Sequence, residues 1–313
     1  MLSRIADSLF WLNRYMERAD GLLLVTKTIY ILSLDKGVNN NLTWRPVIET
    51  FTHAEEDKIA LLENNTDASL NLLLADTTNL NSLKILLTRA RENARGVQDY
   101  ITKEVWEQVN QMYHLVNNPN LPNKLTSYSA LETIENFLRN SLLYTGVTDI
   151  TMPRGTGWSF MNLGRYIERC LLTLETTDKQ YADIQYNIAQ QNDILQWRYL
   201  LLSLSGYELH LKTYRTNNYN KNVLHQVLIN ENFPHSVLYS LSRIGKYLET
   251  VVSENKTPDN EALLRLFGRL YSRVKYVDFD SLNSSTLQQF LTEVRYELFE
   301  FSKQVAHNFF SYS

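Results

Sequence analysis

The 313-residue chain contains ten glycines, six prolines and one cysteine. So little glycine argues against the glycine-rich loops that cradle phosphates in Rossmann and P-loop proteins, and suits helices joined by short turns. The six prolines, at positions 46, 119, 122, 153, 234 and 258, fall at or near the helix boundaries read below, where a missing amide costs little. Cys170 has no intrachain disulfide partner, which fits a reducing compartment. Apolar runs are also short. The longest, over residues 22–32, is interrupted by Thr26, Lys27 and Thr28, well below the ~20 residues of a membrane-spanning helix. Nor is there an excess of one charge: the net value of −3 gives no broad attraction to nucleic acid or anionic lipid. The opening Met1-Leu2-Ser3-Arg4 is too polar for a signal peptide, so the expected location is cytoplasmic.

Chemical signatures are equally sparse. The six histidines, at 53, 114, 210, 225, 235 and 307, show no metal-ligand spacing, so no metal and no cofactor are expected. Arg154-Gly155-Thr156-Gly157 lacks the lysine of a P-loop and reads as a linker. Cys170 has no histidine near it in sequence and reads as a small core residue.

What the chain does contain is a phrase used twice. Arg14-Tyr15-Met16-Glu17-Arg18 recurs as Arg165-Tyr166-Ile167-Glu168-Arg169, 151 positions later. A tryptophan-arginine pair follows each copy, Trp44-Arg45 and Trp197-Arg198. This predicts a duplication, with a first helical half over 1–145, a linker over 146–158 and a second half over 159–313, either as separate units or as one continuous domain.

Apolar residues at three- and four-residue steps predict a long helix over 4–33, stopped by turn chemistry at Asp35-Lys36-Gly37 and Asn39-Asn40-Asn41. Shorter helices are expected from Thr43, over 67–76, over 82–99 with Asn81 as cap, from Thr102 to about Val116, and over 127–144. After the glycine-containing linker, a second long helix is expected over 159–188. Further helices follow at 192–213, 221–230, 235–252, 259–278 and 285–310. The fold class is therefore all-α, a multi-helix bundle with two related halves.

On a helix, Arg14, Glu17 and Arg18 share one broad face, and so do Arg165, Glu168 and Arg169. A third cluster, Arg89, Arg91, Glu92 and Arg95, lies on the 82–99 helix. Three uses suit such a pattern. The charges can join helices through partly buried pairs. Their guanidinium forks can receive a carboxylate or another anion. A glutamate can act as an acid or base if burial raises its pKa.

The phrase Met1-Leu2-Ser3-Arg4-Ile5-Ala6-Asp7-Ser8-Leu9-Phe10-Trp11, continuing through Arg14-Tyr15-Met16-Glu17-Arg18-Ala19-Asp20, resembles the Alpha-E domain family of bacterial proteins. So do Arg89-Ala90-Arg91-Glu92-Asn93-Ala94-Arg95, the segment Glu104-Val105-Trp106-Glu107 with Asn110, and residues 160–169. Pro234-His235-Ser236-Val237 resembles a later phrase. Two departures are Asp20, where glutamate is common, and His235, where arginine is common. The resemblance implies a helical fold and an unknown biochemical function. It also implies companions of ATP-grasp and transglutaminase-like type, which suggests peptide or amide-bond chemistry in the neighbourhood.

The expected function is thus a helical accessory or binding protein in a peptide-ligation or peptide-modification system. An ATP-grasp-type or transglutaminase-like protein, or an acidic peptide, would be its partner, with no nucleic acid and no membrane span. The alternatives are an enzyme using Glu17, Glu92 or Glu168 in an arginine-lined cleft, and a structural assembly subunit. The sequence names no catalytic residue.

Overall fold

A computed structural model describes residues 1–34, 42–126, 128–190, 192–255 and 259–310. The expected turn at 35–41 and the proline at 258 lie outside these residues. Among the described residues the regular structure is helical throughout. The first half has α1 (Ser3–Leu34), α2 (Arg45–Phe51), α3 (Glu56–Leu62), α4 (Thr66–Leu74), α5 (Leu83–Gly96), α6 (Lys103–Val116), α7 (Leu121–Lys124) and α8 (Ala130–Thr151). The second has α9 (Thr156–Ala182), α10 (Ile194–Ser203), α11 (Tyr207–Thr213), α12 (Tyr219–Ile229), α13 (Val237–Glu254), α14 (Asn260–Lys275) and α15 (Ser284–Phe310).

The chain divides into two compact units. The N-terminal unit is Trp11–Pro153, and the C-terminal unit is Arg154–Ser313 together with Met1–Phe10. Helix α1 thus gives its first turns to one unit and the remainder to the other. Over the expected linker the chain stays helical to Thr151 and resumes at Thr156.

In the N-terminal unit α5 packs on α6, α6 on α8, and α2, α3 and α4 on one another. Its core includes Leu22, Leu23, Ile48, Leu73, Leu86 and Met112. In the C-terminal unit α13 lies along α9, while α15 packs on both α9 and α14. There Phe10 meets Phe310 at 5.1 Å, and Phe160 meets Phe309 at 5.6 Å. Cys170 is fully buried, and burial pushes its thiol pKa well up, consistent with a core residue.

The halves repeat each other in detail. Trp44, at the start of α2, donates its indole N–H to Thr66 Oγ1 in α4 at 3.2 Å. Trp197 in α10 donates to Asn220 Oδ1 in α12 at 3.0 Å. Ser82 caps α5 by accepting from the Ile85 amide, and donates to the Asp76 carbonyl. Ser236 caps α13 by accepting from the Tyr239 amide, and donates to the Asn230 carbonyl. Each serine therefore fixes a helix start to the carbonyl six residues before it.

Two local readings change and one helix is added. The cap of α5 is Ser82, not Asn81. Residues 56–62 are helical, with Glu56 and Asp57 in the favourable first turn. The single helix expected over 192–213 is two, because Ser205 takes φ 54° and closes α10. The Gly206 amide bonds to the Leu201 carbonyl at 2.7 Å and the Ser205 amide to Leu202 at 3.0 Å, a Schellman arrangement. Gly206 itself is needed for space: a Cβ there would lie 2.6 Å from Gln226 Nε2 and 2.7 Å from the Phe233 ring.

Candidate functional site

The repeated Arg-Tyr-x-Glu-Arg phrases sit at equivalent places on α1 and α9. Glu17 is 7% exposed and Glu168 4%, and Arg14 is 7% exposed. Arg18, Arg165 and Arg169 are half-buried. All six residues are engaged with other groups, so none is a free charge waiting for a ligand. Their neighbours repeat as well. Arg18 Nη1 donates to Asn81 Oδ1 at 2.9 Å, just before α5. Arg169 Nη1 donates to the Pro234 carbonyl at 3.4 Å, just before α13. Each phrase therefore braces the loop that feeds the next packed helix. Burying such charges favours them only when their hydrogen bonds are made, which points to an architectural task.

The tyrosine of each phrase stands at an arginine on that next helix. In the N-terminal unit Arg14 lies over the Trp11 ring at 4.7 Å, Trp11 meets Tyr15 at 5.3 Å, and Arg89 reaches Tyr15 at 5.9 Å. In the C-terminal unit Tyr166 meets Tyr239 at 6.3 Å and Tyr247 at 6.0 Å, and Arg243 lies over Tyr239 at 4.9 Å. Arg243 follows Ser236 by seven residues, as Arg89 follows Ser82. That spacing was the one signal in the sequence for Arg243, which lies outside every charged phrase.

The third charged cluster does not stay together. Arg89 turns toward Tyr15 on α1, while Arg91 turns toward α6. Arg91 Nε donates to Asn110 Oδ1 at 2.7 Å, and the guanidinium lies 4.4 Å from the Tyr113 ring and 5.7 Å from Trp106. Trp106, Asn110 and Tyr113 are half-buried on one face of α6. Glu92 and Arg95 are exposed. No arginine of this cluster holds Glu92: among the described residues Glu92 forms no ion pair.

Arginines elsewhere show what neutralisation looks like in this protein. Arg45 meets Glu49 at 3.3 Å and Glu56 and Glu63 at 2.7 Å each, which raises its pKa through the Glu56 and Glu63 hydrogen bonds. Arg273 holds Glu293 at 2.6 Å and Glu297 at 2.9 Å. By contrast, Arg89, Arg91, Arg95 and Arg243 have no carboxylate partner among the described residues. Arg91 is the most constrained of the unpaired forks. Its Nε is held, its guanidinium lies against two aromatic rings, and its two terminal nitrogens have no protein acceptor among the described residues.

Among the described residues no group of three or more His, Cys, Asp or Glu side chains is placed to hold a metal ion. No described helix is long and apolar enough to cross a membrane. The N-terminal unit also has a cavity of about 420 Å³ lined by residues including Asn118, Lys124, Glu132, Asn136 and Arg139; none of the charged phrases lines it.

These features define an all-helical protein of two related units, each organised around a buried arginine-glutamate phrase. Residues 1–310 match the Alpha-E family, described as a predicted alpha-helical domain with a conserved ER motif, and the chain belongs to that family. Neither a curated protein nor a solved structure matches it.

Proposed function

We propose that this protein is a non-catalytic helical binding protein that receives a carboxylate of an acidic peptide, as an accessory in a peptide-ligation or peptide-modification system. The observation that carries the proposal is Arg91, fixed by Asn110, Trp106 and Tyr113 with both terminal nitrogens open. A planar fork with two parallel N–H donors matches a carboxylate in bidentate fashion. Its position is set before the ligand arrives, so little side-chain freedom is lost on binding. Arg95, one turn further along α5 and exposed, adds a second positive charge for an acidic chain. The companion enzymes implied by the family resemblance, of ATP-grasp or transglutaminase-like type, would carry out the bond chemistry.

Calorimetry with a triglutamate peptide at two salt concentrations tests this reading. Binding should weaken with salt, because exposed charge attraction is screened. The phase that Arg91 carries should be lost in Arg91→Ala and only partly restored in Arg91→Lys, which has charge but no fork. No peptide binding at low salt, or turnover of a peptide or amide substrate by the purified chain alone, would overturn it.

A further inference from the structure

We infer that Arg243, with Tyr166, Tyr239 and Tyr247, forms a separate oxyanion-binding site in the C-terminal unit. Tyr239, Arg243 and Tyr247 are spaced four apart on α13 and so line one stripe of that helix. Helix α9 presents Tyr166 to the stripe. Its ring meets Tyr239 at 6.3 Å and lies nearly parallel to Tyr247, 14° apart in plane at 6.0 Å. Arg243 Nη2 donates to the Tyr239 hydroxyl at 3.0 Å, and Arg169 lies 5.3 Å from the Tyr166 ring. All five side chains are half-buried.

The chemistry of this group is one-sided. Arg243 has no acidic partner among the described residues; its one hydrogen bond goes to a neutral phenol. Tyr239 accepts that bond and keeps its own O–H to donate. Arg243 keeps Nε and Nη1. The donors therefore outnumber the acceptors around a half-desolvated positive charge, where an arriving oxyanion is bound more strongly than at an open surface.

Duplication sharpens the point. The N-terminal unit has the same scaffold, with Arg89 against Tyr15. At the places of Tyr239 and Tyr247 it has Ile85 and Asn93, and Asn93 turns back to the Arg89 carbonyl at 2.9 Å. The phenols are thus additions of the second half and not a requirement of the packing. Carboxylate and phosphate share the needed acceptor chemistry, so the proposal names the oxyanion and leaves the experiment to separate its sources.

The test is a calorimetric titration of the full chain with inorganic phosphate and, separately, with triglutamate. Wild type, Arg243→Ala, Arg243→Lys, Tyr239→Phe and Arg91→Ala would be compared. At least one anion should bind in a phase that weakens about tenfold or more in Arg243→Ala, since a charge-assisted hydrogen bond is removed. Tyr239→Phe should weaken the same phase by a smaller factor, and Arg91→Ala should leave it intact. Phosphate alone in the Arg243-dependent phase identifies a phosphate site, and triglutamate in that phase, surviving Arg91→Ala, identifies a carboxylate site. If Arg243→Ala does not fold, Tyr239→Phe and Arg243→Lys carry the comparison. An affinity unchanged across the Arg243 and Tyr239 variants, or no binding of either anion, would overturn the inference; loss of all binding in Arg91→Ala alone would do so as well.

Discussion

Trp197 donates its indole N–H to Asn220 at 3.0 Å, and the same asparagine ties three further groups. Its amide nitrogen donates to the Asn187 and Gln190 carbonyls, and its backbone carbonyl accepts from the Tyr181 hydroxyl. Asn220 and Trp197 are both fully buried. The counterpart in the other half, Trp44 with Thr66, is simpler, and Thr66 is partly exposed.

Asn220→Ala should therefore destabilise far more than Thr66→Ala. The first leaves a buried indole N–H and two carbonyls without their partner, about 1–3 kcal/mol for each group that water does not reach. The second loses one bond that water can replace, about 1 kcal/mol. Urea unfolding of the two variants checks the order. Equal losses would mean that the two tryptophan anchors are energetically alike.

Glu17→Ala and Glu168→Ala should each cost about 3 kcal/mol or more, because both carboxylates are buried and engaged. Glu92→Ala, at an exposed position with no ion pair among the described residues, should stay within about 0.5 kcal/mol of wild type. Denaturant unfolding of the three variants separates them. Wild-type stability in the first two would remove the architectural role assigned to the repeated phrase.

A pH dependence follows from His210. Its Nδ1 lies 2.8 Å from Gln226 Oε1, and its Nε2 is buried with no partner. Gln226 Nε2 is already donating to the Gly206 carbonyl, so Gln226 Oε1 accepts and the histidine N–H sits on Nδ1. Protonating Nε2 would bury a charge and an unsatisfied donor, so burial lowers the His210 pKa below its ordinary 6.5, with the Gln226 bond opposing in part. The unfolded chain then binds a proton that the folded chain refuses. Stability should be complete above about pH 6.5 and should fall as pH drops below it, toward the lowered folded value. His225, also lowered by burial, adds in the same direction. His210→Asn should flatten the slope in thermal melts at pH 5 to 7, taken as a rough working range. An unchanged slope would mean that other groups set it.

Much of the fold was legible because helix periodicity and repetition are local signals. The long helices α1 and α9, the two arginine-tyrosine phrases and the paired tryptophans all stand out along the chain. What escaped was set by distant partners. Ser205 closes α10 in a left-handed conformation that Gly206 and its contacts with Gln226 and Phe233 accommodate, and no glycine marks the turn itself. Arg89 and Arg91 look like one cluster in sequence, yet two residues of helix turn them to different neighbours. Arg243 has no charged phrase around it in sequence, because the three tyrosines that distinguish it come from two helices.

Arginine side-chain nitrogen NMR during a triglutamate titration tests the role of Arg91 most directly. The terminal nitrogens of Arg91 should shift and saturate with the peptide, while those of Arg45, already occupied by three glutamates, stay still. Saturable peptide binding that leaves the Arg91 resonances unmoved would contradict the assignment.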